Sequence, residues 1–159
     1  MSRPSLHRPI THTELVVSSL ARANYWEGRS RGVHWSPTEE FAMSVTVAVL
    51  DATGVYARHL IPRLAALGFR VRALVRRPEA AGVALAWGAE IHKAEIFDGA
   101  SVALAGCDVG VNLATSLPGP SGRGDFAAND RLRRDGTPIW IEACRSARVA
   151  RILQQHNWI

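Results

Sequence analysis

From residue 43 onward the apolar positions alternate between two textures. Val45–Leu50 (VTVAVL) is a short, β-branched run without polar alternation, as expected of a parallel strand covered on both faces. After the turn Asp51-Ala52-Thr53-Gly54, apolar residues recur at Val55, Leu60, Ile61, Leu64 and Leu67, a helical spacing that Gly68 closes. The next strand is Arg70–Val75. Pro78 is placed to open a second helix through about Trp87, and Gly88-Ala89 turns the chain into a third strand over Glu90–Lys93. Asp98-Gly99 precedes a short helix, Ala100–Ala105, closed by Gly106, and Val109–Leu113 reads as a fourth strand. A loop rich in turn residues covers Ser116–Gly124. Asp125 is placed to cap a long helix reaching about Ala147, with a kink or break expected near Gly136-Thr137 because Pro138 removes a backbone donor. A fifth strand, Arg151–Gln155, follows. There is no internal repeat. Regular strand–helix alternation predicts an α/β fold, a doubly wound, mostly parallel sheet of about five strands over residues 43–159. The chain stops at Ile159, four residues past the last strand, so that the domain reads as truncated at its C-terminus.

Residues 1–42 lack this pattern. Arg, His, Ser, Thr and Trp are mixed without sustained period, and the apolar run Leu15–Leu20 is too short for a secretory signal, although Ala21-Arg22-Ala23 mimics a cleavage site. Glu14 and Glu27 count against a transit peptide. The expectation is a largely disordered extension with a helical turn or two around Glu14–Arg22. Met43, immediately before the first strand, is where such a domain would normally begin.

Composition changes this picture little. Hydrophobic residues at 47% and charged residues at 21% are those of an ordinary globular protein. A net charge of +5 invites a nucleic-acid reading, but the arginines are scattered rather than clustered, and no nucleic-acid partner is expected. Cys107 and Cys144 match no metal or redox spacing and read as small buried residues of a reduced, cytoplasmic setting. The six histidines form no HxxxH or HExxH pattern, and no metal site is expected. No apolar run reaches the roughly 20 residues of a membrane-spanning helix.

The candidate chemistry lies in the first turn. Strand, glycine turn and helix present backbone N–H groups to a phosphate, and the full fingerprint spaces three small residues by two. Here the positions hold Asp51, Gly54 and Ala57, so the first glycine is missing. At Gly54 a side chain would block the approach of a dinucleotide's pyrophosphate, Thr53 and Val55 would line the turn, and Ala57 allows close helix–strand packing. Gly54 also reads simply as a turn glycine. Aspartate tolerates left-handed geometry, so the turn can survive at position 51. Its charge at about 5 Å from a phosphate, with an effective dielectric near 20, costs roughly 3 kcal/mol, about a hundredfold in affinity. Val75, Arg76 and Arg77 end the second strand where an NAD-specific site carries an acid for the ribose 2′-hydroxyl. A guanidinium there suits the 2′-phosphate of NADP, which favours NADP over NAD; the plainer reading is two solvated arginines.

Three stretches in the right order carry a resemblance to a family: VAVLDATGVYARHLIPRLAALGFRVRALVRRPE, LAGCDVGVNLAT and NDRLRRDGTPIWIEACRSARVARILQQ. They resemble the NAD-dependent epimerase/dehydratase and NAD(P)H-binding members of the extended and atypical short-chain dehydrogenase/reductases, over nearly all of residues 43–155. The resemblance implies a Rossmann-type domain, a nicotinamide dinucleotide partner, and cofactor contacts at Thr53, Gly54, Val55, Arg76 (more than Arg77), Ala114 and Thr115. It also implies an acid near the adenine, matched by Glu95, and a helix position matched by Asn129; each reads equally as a surface polar residue. The family acts through a Tyr-x-x-x-Lys pair. Tyr25 and Tyr56 have no lysine four residues on, and Lys93 is the chain's only lysine. His156 stands near the chain end with no identifiable partner. The expectation is therefore cofactor binding without a catalytic residue, and with no small-molecule substrate for this chain alone. Oligomeric state is left open. The rival readings are a non-catalytic NADP-sensing or protein-interaction module, and an inactive gene fragment.

Overall fold

The computed structural model describes residues 45–99, 101–118 and 124–155; the extension over residues 1–42, Met43 and His156 lie outside them. Five strands, β1 (Thr46–Leu50), β2 (Arg70–Val75), β3 (Glu90–Lys93), β4 (Val109–Asn112) and β5 (Arg151–Gln154), form one sheet in the order β3-β2-β1-β4-β5. Every neighbouring pair is parallel, with Val47 opposite both Val71 and Val109, Arg72 opposite Glu90, and Val109 opposite Arg151. The central strand β1 is buried throughout, which is why its sequence shows no alternation. The two edge strands, β3 and β5, have no fully buried residue.

Helices cover both faces. On one, α1 (Ala57–Ala66) buries Ala57, Leu60, Ile61 and Leu64 and contacts β2. Val55, counted among its apolar positions in the sequence, is 71% exposed and belongs to the turn instead of the core. Pro62 falls inside α1, yet the helix runs through it because the apolar face on either side is buried. Gly68 then adopts φ +83°, with the N–H of Phe69 donating to the Leu64 carbonyl, and ends the helix as expected. On the other face Ala48, Leu50 and Leu74 pack against Leu104, Trp140, Ala143 and Cys144.

The helix expected over Pro78–Trp87 is two pieces, a 3₁₀ turn at Pro78–Ala80 and the short α2 (Gly82–Ala86). Only Ala81 and Ala84 are buried there, while Val83, Leu85 and Trp87 are exposed, so little apolar burial enforces a continuous helix. The helix expected at Ala100–Ala105 is α3 (Ser101–Leu104), preceded by a 3₁₀ turn at Ile96–Asp98.

The long helix ahead of β5 is also divided. Asp125 caps α4 (Phe126–Arg131), its Oδ1 accepting from the Ala127 N–H at 2.9 Å. A π-helical segment, Leu132–Gly136, leads into α5 (Thr137–Ser146), where Pro138 stands in the first turn. The expected break at Gly136-Thr137 is thus a widened turn that absorbs the missing proline N–H. Gly136 lets this turn approach the 3₁₀ turn after β3; a Cβ there would lie 2.9 Å from Ile96 Cδ1.

Candidate functional site

The chain runs outward from β1 through β2 to β3 and then crosses back to β4 on the other side of β1, so a crevice opens between β1 and β4 at their carboxyl ends. The turn that follows β1 is built by hydrogen bonds. The Gly54 N–H donates to the Asp51 carbonyl at 2.9 Å, and the Ala52 N–H to the Leu74 carbonyl at 3.3 Å. Asp51 takes φ +60°, the left-handed geometry that glycine usually supplies at this point. A Cβ on Gly54 would lie 2.7 Å from Asp51 Oδ2 and 3.1 Å from its carbonyl oxygen. A side chain at 54 would therefore displace the Asp51 carboxyl and crowd its carbonyl, whatever binds there. Ala57, fully buried, provides the close packing of α1 on the sheet.

A cavity of about 210 Å³ lies at the strand ends. β1 contributes Leu50 and Asp51, β2 contributes Leu74 and Arg76, and the segment after β3 adds Ala94, Glu95, Ile96 and Phe97. The segment after β4 supplies Ala114, Thr115 and Ser116; Ala128, Arg131 and Leu132 close the opposite side. A second depression, of about 300 Å³, shares Arg76 and Glu95 and extends along His92, Lys93 and Asp98. Arg76 stands where the two meet.

Of the residues singled out in the sequence, Arg76, Ala114, Thr115, Glu95 and Asp51 come together around this cavity. Thr53, Gly54, Val55 and Arg77 are not among its walls; the first three form the turn beside Asp51, and Arg77 is an exposed residue preceding the Pro78 turn. Asn129 is not an exposed helix residue. It is 8% exposed, and its Oδ1 accepts from Thr115 Oγ1 at 3.1 Å and from the Ser116 N–H at 3.3 Å, pinning the segment after β4 to α4. Asn112 fastens the same segment from the strand side, accepting from the Ala114 N–H at 2.9 Å.

Sequence reasoning missed Arg131, Phe97 and Leu132. The Arg131 guanidinium lies 4.6 Å from the centroid of the Phe97 ring, a cation–π contact at the cavity wall. Residues 128, 131 and 132 share one helical face, a spacing visible in the sequence, but nothing local says which face looks onto the crevice.

Burial pushes the Asp51 carboxyl up to about 6, and the nearby Arg76 guanidinium only partly offsets this. The site thus carries a carboxyl that changes charge just below neutral pH, facing a permanent cation. Among the described residues no group of His, Cys, Asp and Glu is arranged to hold a metal.

A parallel five-stranded sheet in this order, with a crevice at the central switch point and a strand–turn–helix beside it, defines a Rossmann-type nucleotide-binding domain. Residues 52–157 match the NAD(P)H-binding family model, and the chain belongs to that family. It is similar to a Bacillus halodurans protein described as an NAD-dependent epimerase/dehydratase, at 28% identity and a TM-score of 0.60, over 69% of this chain and 50% of the other. A nucleoside-diphosphate-sugar epimerase of Pseudomonas aeruginosa matches at 26% identity and a TM-score of 0.54, over 69% and 32% of the two chains. A short-chain dehydrogenase/reductase superfamily protein from Agrobacterium tumefaciens, solved with bound NAD, shares the fold at 23% identity and a TM-score of 0.54, over 69% of this chain and 31% of its own. The chain thus spans 31% to 50% of the length of these structures. No curated protein sequence matches it significantly. A nicotinamide dinucleotide is the ligand class that the family implies.

Proposed function

We propose that this chain is the cofactor-binding portion of an NAD(P)-dependent epimerase, dehydratase or reductase, and that it binds NADP in preference to NAD. The observation that carries the reading is the cavity at the β1–β4 switch point, with Arg76 at the end of β2 between it and the neighbouring depression. Arg76 is assigned to the 2′-phosphate by a bidentate guanidinium contact, with Arg77 behind it as a further positive charge. The N–H groups around Thr53, Gly54 and Val55 are assigned to the pyrophosphate, and Ala114 and Thr115 to the nicotinamide ribose. The small residues after β4 are held in place by Asn129, which supports that assignment.

The side chains that would perform chemistry on a substrate are not recognisable in these 159 residues, since no tyrosine is followed four residues later by a lysine. That observation favours a second reading, in which the chain binds NADP and signals or docks without turnover. Titration of the 159-residue chain with NADPH and NADH by fluorescence or calorimetry tests the assignment. The expected outcome is tighter binding of NADPH, a preference that Arg76→Ala reduces by about tenfold or more while leaving NADH binding nearly unchanged. Preference for NADH in the unaltered chain would overturn the role of Arg76.

A further inference from the structure

The family's first turn normally brings only backbone to the phosphate, whereas this chain places a side-chain carboxyl there. Asp51 Oδ2 lies against Gly54, within 2.7 Å of where a Cβ would stand, so the carboxyl covers the residue whose bareness the phosphate needs. The same side chain lines the cavity with Arg76 of β2, Glu95 after β3 and Arg131 of α4, and among the described residues these are its ionisable neighbours there. The segment after β4 faces the cavity with Thr115 and Ser116, which do not titrate. The site therefore holds two arginines and two carboxyls before any ligand arrives. A diphosphate brought beside Gly54 adds further negative charge against Asp51.

From this placement, and resting on the dinucleotide reading above, we propose that Asp51 makes cofactor binding proton-coupled: the dinucleotide is taken up together with one proton, which comes from solvent and resides on the Asp51 carboxyl. Neutral Asp51 can donate to a phosphate oxygen where the carboxylate repels it, and Arg76 is then released from its nearby anion to engage the ligand. Burial has already moved Asp51 close to the pH at which this exchange costs little, up to about 6 in the free protein. Glu95, with no such position against the turn, does not replace it. Asp51 thus acts as a specificity residue for charge, selecting against a phosphate at alkaline pH and admitting it as the medium acidifies.

The test is calorimetric titration of the full chain with NAD, whose diphosphate does not titrate near neutrality, from about pH 6 to about pH 8 in buffers of differing ionisation enthalpy. The expected result is a Kd that rises about tenfold or more across that range, with uptake of close to one proton per ligand near its upper end. In Asp51→Asn the Kd is tighter at alkaline pH and nearly flat, with proton uptake lost. Asp51→Gly, which suits the left-handed turn and restores the usual glycine, is a second variant with the same expectation should the amide disturb folding. Adenosine, lacking phosphates, is expected to bind without this pH dependence. Binding of NAD by the unaltered chain and both variants with equal pH profiles overturns the coupling alone. Absence of binding by all three folded proteins at every pH overturns the dinucleotide reading, and the coupling with it.

Discussion

Asp51 is the residue at which the local rules and the fold pull apart. The turn needs a left-handed residue, which aspartate tolerates, and the crevice then buries its carboxyl. A carboxyl near 3.8 in the unfolded chain and about 6 in the folded one means that the native state holds the proton more tightly. Stability therefore falls as pH rises through that window and is lowest above it. Asp51→Asn should remove this penalty. A gain on the order of 1–3 kcal/mol is expected at about pH 8, shrinking to nearly nothing at about pH 3, below the unfolded value, and denaturant melts at the two pH values measure it. Asn129 works in the opposite sense. Asn129→Ala removes the acceptor that holds Thr115 and Ser116, at a cost of about 1–3 kcal/mol. Hydrogen exchange at the Ser116 amide should accelerate in that variant while the amides of β1 stay protected.

At the scale of elements, the tightest fit lies between β4 and α5. Gly110 in the middle of β4 faces the Trp140 ring and the Cys144 sulfur, and a Cβ there would come within 2.9 Å of both. Trp140 is 1% exposed and Cys144 fully buried, so neither has room to give way. Gly110→Ala is expected to destabilise the domain by about 1–3 kcal/mol through overpacking. The check is a lower denaturation midpoint without a change in the denaturant slope. Arg72 ties a different corner, donating to the carbonyls of Ala103 and Ala105 at the end of α3 and to Glu90 on β3. The two hydrogen bonds from Arg72 and His92 hold the Glu90 carboxyl below its usual range, His92 first.

Across the whole molecule, the two thiols report on integrity. Cys107 and Cys144 are buried and unpaired, and burial pushes the Cys144 thiol up to about 12 and raises Cys107 as well. Both should resist alkylating reagents in the folded chain at neutral pH and react fully once it is unfolded, with stoichiometry approaching two. Rapid labelling of either in native buffer would show that the packing against Trp140 is not maintained. Among the described residues, no helix is long and apolar enough to cross a membrane.

Much of this architecture is local, and the sequence by itself determined it. The apolar runs marked β1 and β4 to within a residue, because a buried parallel strand leaves an unbroken apolar signature, and the glycine turns and helix ends around them bounded β2, β3 and β5 to the same margin. Gly68, Gly106 and Asp125 marked helix ends because left-handed backbone and a free N–H have few chemical solutions. The three-residue spacing from Asp51 through Gly54 to Ala57 placed the turn. Tertiary structure alone decided the rest. Whether Pro62 or Pro138 would interrupt a helix depended on how much apolar surface lay on either side of it. Whether Asn129 was surface or anchor depended on where the segment after β4 came to rest. Arg131 and Phe97 became neighbours, and Asp51 acquired its shifted proton, only when segments distant in sequence met at the strand ends. Burial and the distance between charges are properties of that meeting, and no local pattern encodes them.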